Sequence, residues 1–167
     1  MEPRARRPTV QGEVLSHMHA CVAAGAGFLF AVLWFDLMFD VQTRGHAGET
    51  LPTEVLASIS AYYRRVTTKA RPMNRLIAVV MGLTLLAIVV EIVQNADHWW
   101  MEWISLVSAA SAIGLAGKRT IPNAVRLGRA KDSADVQTGL ARAIYRDHLC
   151  SLAGIGVLLV LQLSAQL

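Results

Sequence analysis

The chain has 167 residues, 54% of them hydrophobic and 17% charged, with a net charge of +4 and a pI near 9.5. An average soluble domain carries about 25% charge, so the composition points away from that class, and the length allows one domain, 1–167. The basic pI does not call for nucleic acid, because the Lys and Arg residues sit in segments flanking long apolar runs, where membrane topology accounts for them.

Four largely apolar runs, approximately 20–39, 76–93, 99–116 and 149–163, predict transmembrane helices. A hydrocarbon core takes about 20 helical residues to cross, and a helix satisfies its own backbone polar groups. The expected fold is all-α: a polytopic four-transmembrane-helix bundle, with short amphipathic helices in the two long loops. The first run is longer than a signal-peptide core, carries Asp36 and Asp40 at its end, and has no small-residue cleavage site after it. It reads as a retained span.

Arg4, Arg6 and Arg7 precede the first run. Between the first and second runs lie Arg44, Arg64, Arg65, Lys69, Arg71 and Arg75, and between the third and fourth lie Lys118, Arg119, Arg126, Arg129, Lys131, Arg142 and Arg146. The positive-inside rule therefore places loops 40–75 and 117–148 in the cytoplasm and both termini outside, in a multi-pass protein of a bacterial-type cytoplasmic membrane. The amino-terminal arginines pull the other way, since Arg clusters resist translocation. Cys21 and Cys150 form no C-x-x-C motif and read as small packing residues on opposite membrane faces, not as a disulfide.

In the first loop, Pro52 can open a helix in which Val55, Ile59, Tyr62 and Val66 share a face, lying on the inner leaflet until Pro72 ends it. After the second run, Trp99, Trp100 and Trp103 follow Asn95, Asp97 and His98, as interfacial anchors do. In the second long loop Pro122, Gly128 and 131–133 interrupt the chain. Ser133 is placed to cap a helix carrying Val136, Leu140 and Ile144 into the last span.

Polar residues at membrane depth are retained when paired or useful. Asp36 and Asp40, one turn apart, project from one helical face. Asp36 is one turn deeper and is expected to be the more critical. Cations on the same side are Arg75, Lys118, Arg119, Arg146 and His148, and the candidate cluster is Asp36, Asp40, Arg75, Arg146 and His148, with Asp36, Arg146 and His148 within reach of one another. Such a set either fixes helix registry or exchanges protons and binds a ligand. On the outer side, His17, His19 and Glu91 are weak metal candidates, because the two histidines point about 200° apart on a helix. No motif requires a cofactor: P-loop, dinucleotide fingerprint, nucleophile elbow and H-E-x-x-H are all missing.

The four-span layout, the Tyr-Arg-containing first loop leading to Arg71-Pro72-Met73-Asn74-Arg75-Leu76, and Thr120-Ile121-Pro122-Asn123-Ala124-Val125-Arg126-Leu127 resemble the small anthrone oxygenase-like membrane proteins. The resemblance implies cofactor-independent oxidation of a hydrophobic aromatic substrate in or beside the bilayer, and it assigns no catalytic residue. Two functions are expected from the sequence. One is a scaffold, accessory subunit or small transport component whose partners are the lipid bilayer and another membrane protein. The other is a membrane-embedded oxidoreductase or binding protein for a hydrophobic small molecule.

Overall fold

A computed structural model describes residues 10–46, 48, 50–94 and 99–165, with side chains from Ser16 onward. Among these residues the chain is helical throughout, with no strand: α1 Val10–Asp40, α2 Thr53–Thr68, α3 Arg71–Gln94, α4 Trp99–Leu115, α5 Ile121–Arg129 and α6 Ala134–Ser164. Asn95, Asp97, His98 and the amino-terminal arginines lie outside the described residues.

Three segments are long and apolar enough to cross a membrane, Ser16–Thr43, Arg71–Gln94 and Ala134–Ser164. Only 17%, 22% and 33% of their most apolar windows are buried in the protein. Their outward faces carry large apolar side chains, among them Phe35 (63% exposed), Val93 (80%) and Val160 (63%), while Asp40, Glu91, Glu102 and Asp147 are buried. Polar-in, apolar-out is the reverse of a water-soluble arrangement.

The expected third span differs. α4 has 17 residues, about 26 Å at 1.5 Å per residue, and then widens into a π-helical segment, Ala116–Thr120, that runs directly into α5. Pro122 therefore does not interrupt the chain as expected. Its ring lacks a donor N–H, and the wider helical turn before it accommodates that loss with the chain still helical.

Each long helix turns a stripe with alternating spacings of 3 and 4 toward its neighbours. On α1 the stripe is His19, Val22, Ala26, Leu29, Leu33, Asp36 and Asp40; on α6 it is Ala141, Ile144, His148, Ser151, Ile155, Leu158 and Gln162. The shorter stripes are Thr84, Ile88 and Glu91 on α3 and Glu102, Ser105, Ala109 and Ala112 on α4. This spacing keeps one seam facing a partner helix. α1 packs on α6 and α3, and α4 on α6 and α3, so contacts run in a closed ring around Val22, Ala26, Ile88, Ala109, Ile155 and Leu158. Gly25 allows the α1–α3 approach, because a Cβ there would sit 2.2 Å from Thr84 Oγ1.

A second core lies at the end where α1 finishes. Leu56, Ile59 and Tyr63 of α2 pack on Ala124 and Leu127 of α5 and on Leu140, Ala141 and Ile144 of α6. The inward face of α2 is thus rotated from the expected one: Leu56 and Tyr63 replace Val55 and Tyr62, which are only partly buried, and the face meets protein rather than lipid. Gly128, expected as a breaker, lies inside α5 and lets the α2 backbone approach. α5 ends at Ala130, whose φ of 50° is left-handed. Ser133 occupies the cap position of α6 but makes no side-chain cap bond, and Val136 is exposed. The segment before α2 is fastened to α6 by Leu51 N–H donating to Thr138 Oγ1 (3.0 Å), by Thr50 donating to Asp135 and by Arg142 donating to the His46 carbonyl.

Candidate ligand site

The last turn of α1 brings Asp36 and Asp40 under α2 and beside α6, and packing decides what each meets. Asp40 is fully buried. One of its oxygens accepts a hydrogen bond from Tyr63 Oη at 2.5 Å, and the other lies 2.6 Å from His148 Nδ1. A carboxylate has only acceptors, so this contact places a proton on Nδ1. Asp36, whose side chain is 19% exposed, accepts from Tyr62 Oη at 2.5 Å and stands 3.9 Å from His148 Nε2. His148 therefore lies between the two carboxylates, hydrogen-bonded to Asp40 and 3.9 Å from Asp36, and each carboxylate also accepts from one of two adjacent tyrosines. The Tyr62 ring stacks on Phe39, centroids 3.9 Å apart, and meets Tyr63 edge-on.

Burial, followed by the adjacent carboxylate, Asp36 for Tyr62 and Asp40 for Tyr63, pushes both phenols above their ordinary range. A phenolate beside a carboxylate in a desolvated site is doubly disfavoured. The tyrosines thus act as fixed hydrogen-bond donors.

Asp36, Tyr63 and His148 of the cluster line one wall of a mostly apolar cavity of about 290 Å³, to which all six helices contribute residues. Leu33, Ile77, Met81 and Ile113 make its apolar surface, and Asp36, Tyr63 and His148 are the titratable side chains in its lining. The π-helical segment contributes Ala116 and Thr120. Widened helical turns recur at functional sites because they displace side chains from the regular helical phase.

The structure brings together Asp36, Asp40 and His148 and leaves out the two arginines expected with them. Arg75 and Arg146 are exposed and, among the described residues, pair with neither carboxylate. One residue of helical phase separates Arg146 from Asp147 and two separate it from His148, about 100° and 200°. That rotation turns Arg146 outward and the other two inward. Arg119 pairs instead with Asp147, at 2.7 Å, and Thr120 Oγ1 lies 3.5 Å from the same carboxylate. Sequence reading passed over Asp147, Tyr62 and Tyr63 as site residues. Adjacency to His148 was the available signal for the first; for the tyrosines there was none, because their contacts depend on how α2 folds back.

The two segments that carry the family resemblance have plain structural roles. Asn74 Nδ2 donates to the Val66 carbonyl at 2.8 Å, bracing the α2–α3 junction, and Ala124 and Leu127 pack under α2. Cys21 and Cys150, expected to pack inside, are both exposed free thiols.

At the opposite end of the bundle, His19, Glu91, Glu102, Ser105 and Gln162 are buried together. His17, named with His19 and Glu91 from the sequence, is exposed and stands apart, as its helical phase requires. No protein-family model, curated protein or solved structure matches this chain.

Proposed function

We propose that the protein is a four-span membrane protein that binds a small hydrophobic molecule in the cavity between its helices and presents His148, backed by Asp40 and Asp36, to that molecule's polar group. The observation that carries the reading is the cavity itself. Its 290 Å³ lies just below the usual range of ligand pockets, about 300–1,000 Å³, and its mostly apolar surface is interrupted by the buried His148, the part-buried Asp36, and Tyr63, Thr67, Asn74, Thr120 and Ser151. A scaffold would fill that space with side chains.

The arrangement of the dyad suits proton transfer. Asp40 fixes the Nδ1–H tautomer, so Nε2 is the nitrogen on the Asp36 side. A carboxylate–imidazole pair of this kind serves as general acid or base toward a phenol or an acidic C–H. The chemistry this dyad can supply toward such a substrate is the transfer of one proton, from a phenol O–H or an acidic C–H to His148 Nε2.

In this reading α1, α3, α6 and the continuous helix from Trp99 through Thr120 are the spans, and their closed ring of contacts supports a four-helix bundle. α2, α5 and the basic loops form a cytoplasmic cap, and the cavity lies beneath it. The exposed Trp99, Trp100 and Trp103 mark the opposite interface.

The test is purification in mild detergent, solvent extraction and mass spectrometry, comparing wild type with Ala116→Leu, which fills the cavity. A hydrophobic compound present at near-stoichiometric level in wild type and reduced at least tenfold in a folded Ala116→Leu variant is expected. The same lipids in equal amounts from both would refute the pocket.

A further inference from the structure

About 21 Å from His148 along the inward stripe of α6, at 14 residues of 1.5 Å each, Gln162 belongs to a second buried polar group. One residue comes from each of the four packed helices: His19 from α1, Glu91 from α3, Glu102 from α4 and Gln162 from α6. Their exposures are 7%, 0%, 2% and 2%. One ligating atom from each of His19, Glu91 and Glu102 lies within 4.8 Å of the others. Metal sites in helical bundles are built this way, from inward side chains on facing helices.

The details orient Glu91 toward a shared point. Gln162 Nε2 donates to Glu91 Oε2 at 3.1 Å and lies 3.5 Å from Ser105 Oγ, while Gln162 Oε1 lies 2.8 Å from His19 Nδ1. The other carboxylate oxygen, Glu91 Oε1, is fully buried and, among the described residues, has no donor in hydrogen-bonding geometry, and the Glu91 carboxyl lies against that of Glu102. Glu91 Oε1 stands 3.1 Å from His19 Nδ1, which donates its proton to Gln162 Oε1, so an ion held through Nδ1 takes the place of that hydrogen bond. Two ligands on one tetrahedral ion, with bonds of about 2.0–2.1 Å, lie about 3.3 Å apart.

We propose that His19, Glu91 and Glu102 bind one divalent transition-metal ion, with Gln162 holding the Glu91 carboxylate in position from behind. An imidazole with two carboxylates suits zinc or its first-row neighbours better than magnesium or calcium, which take oxygen ligands alone. The ion's two charges balance the two carboxylates, so the loaded site is neutral inside the bundle. This site is independent of the cavity, which lies toward the other end of the same helices.

The experiment uses the full chain in mild detergent, stripped with chelator, dialysed against zinc and assayed for bound metal and for thermal unfolding. Wild type should retain about one equivalent and unfold at a higher temperature with zinc than without. Glu91→Gln and His19→Gln should each weaken binding at least tenfold and lose that thermal shift, whereas His17→Gln, at an exposed neighbouring histidine, should bind as wild type does. No retained zinc in wild type, equal retention in Glu91→Gln, or loss in His17→Gln would overturn the proposal; the first result would leave a carboxyl pair sharing a proton. If the variants do not accumulate, X-ray absorption at the zinc edge of the loaded wild type decides. A nitrogen and oxygen shell with one imidazole supports the site, and sulfur ligands or several imidazoles refute it.

Discussion

His148 Nδ1 lies 2.6 Å from an oxygen of Asp40, joining residues 108 positions apart in a buried contact. Because the Asp40 carboxylate is fully buried and Asp36 is not, burial reverses the order of importance that depth in the apolar run suggests. Asp40→Ala should cost about 3–5 kcal/mol, the usual penalty for leaving one member of a buried pair alone, and Asp36→Ala about 1–3 kcal/mol. Folded yield and thermal unfolding in detergent measure both. A larger loss for Asp36→Ala would mean that the Asp40 contact contributes little.

Tyr63 is 2% exposed and donates to Asp40, so Tyr63→Phe should cost about 1.5–3 kcal/mol, the range for a hydrogen bond to a charged group. The same phenol predicts alkaline behaviour. Its folded pKa is raised, first by burial and then by Asp40, above the ordinary value of 10.0. Unfolded tyrosines then ionise while the folded ones keep their protons. The contribution is therefore complete below about pH 10 and is lost as pH rises beyond it, at about 1.4 kcal/mol per pH unit for each such tyrosine. Denaturant unfolding between about pH 9 and 11.5 should show this fall, shallower in Tyr63→Phe, and a flat profile would contradict the placement of both phenols.

A Cβ on Gly128 would lie 2.7 Å from the Arg64 backbone nitrogen and 3.0 Å from Arg64 Cα and the Tyr63 carbonyl carbon. Backbone cannot rotate aside, so Gly128→Ala should separate α2 from α5, cost about 1–3 kcal/mol or more, and loosen the tyrosines' hold on Asp36 and Asp40. Gly27→Ala meets nothing within 4 Å and should be neutral or stabilise α1 by up to about 1 kcal/mol. At Ala130, where φ is 50°, substitution by glycine relieves left-handed strain and should add about 1 kcal/mol. Melting temperatures of the three variants check the pattern, and equal behaviour of the two Gly→Ala variants would rule out the close approach.

Topology is checked by cysteine labelling. With the exposed Cys21 and Cys150 replaced by serine, single cysteines at Ser58 and Ser133, both on the basic side of the protein, should resist an impermeant thiol reagent in intact cells and react after lysis. Labelling of both in intact cells would invert the proposed orientation.

The apolar runs in this chain determine by themselves that it is helical and that its helices are long, because hydropathy and the 3.6-residue repeat act locally. They also single out Asp36, Asp40, His148, His19 and Glu91 as polar residues in unusual surroundings. Which of these meet is a different matter. His148 reaches Asp40 while its neighbour Arg146 faces outward, and His19 meets Gln162 across 143 positions, with Glu102 drawn in from a helix start that reads as interfacial. Those pairings depend on the rotational phase of four helices locked by interdigitating stripes and by close approach at Gly25, and on α2 folding back over the end of α1. The cavity, likewise, is a space between elements, and no single segment of sequence encodes it.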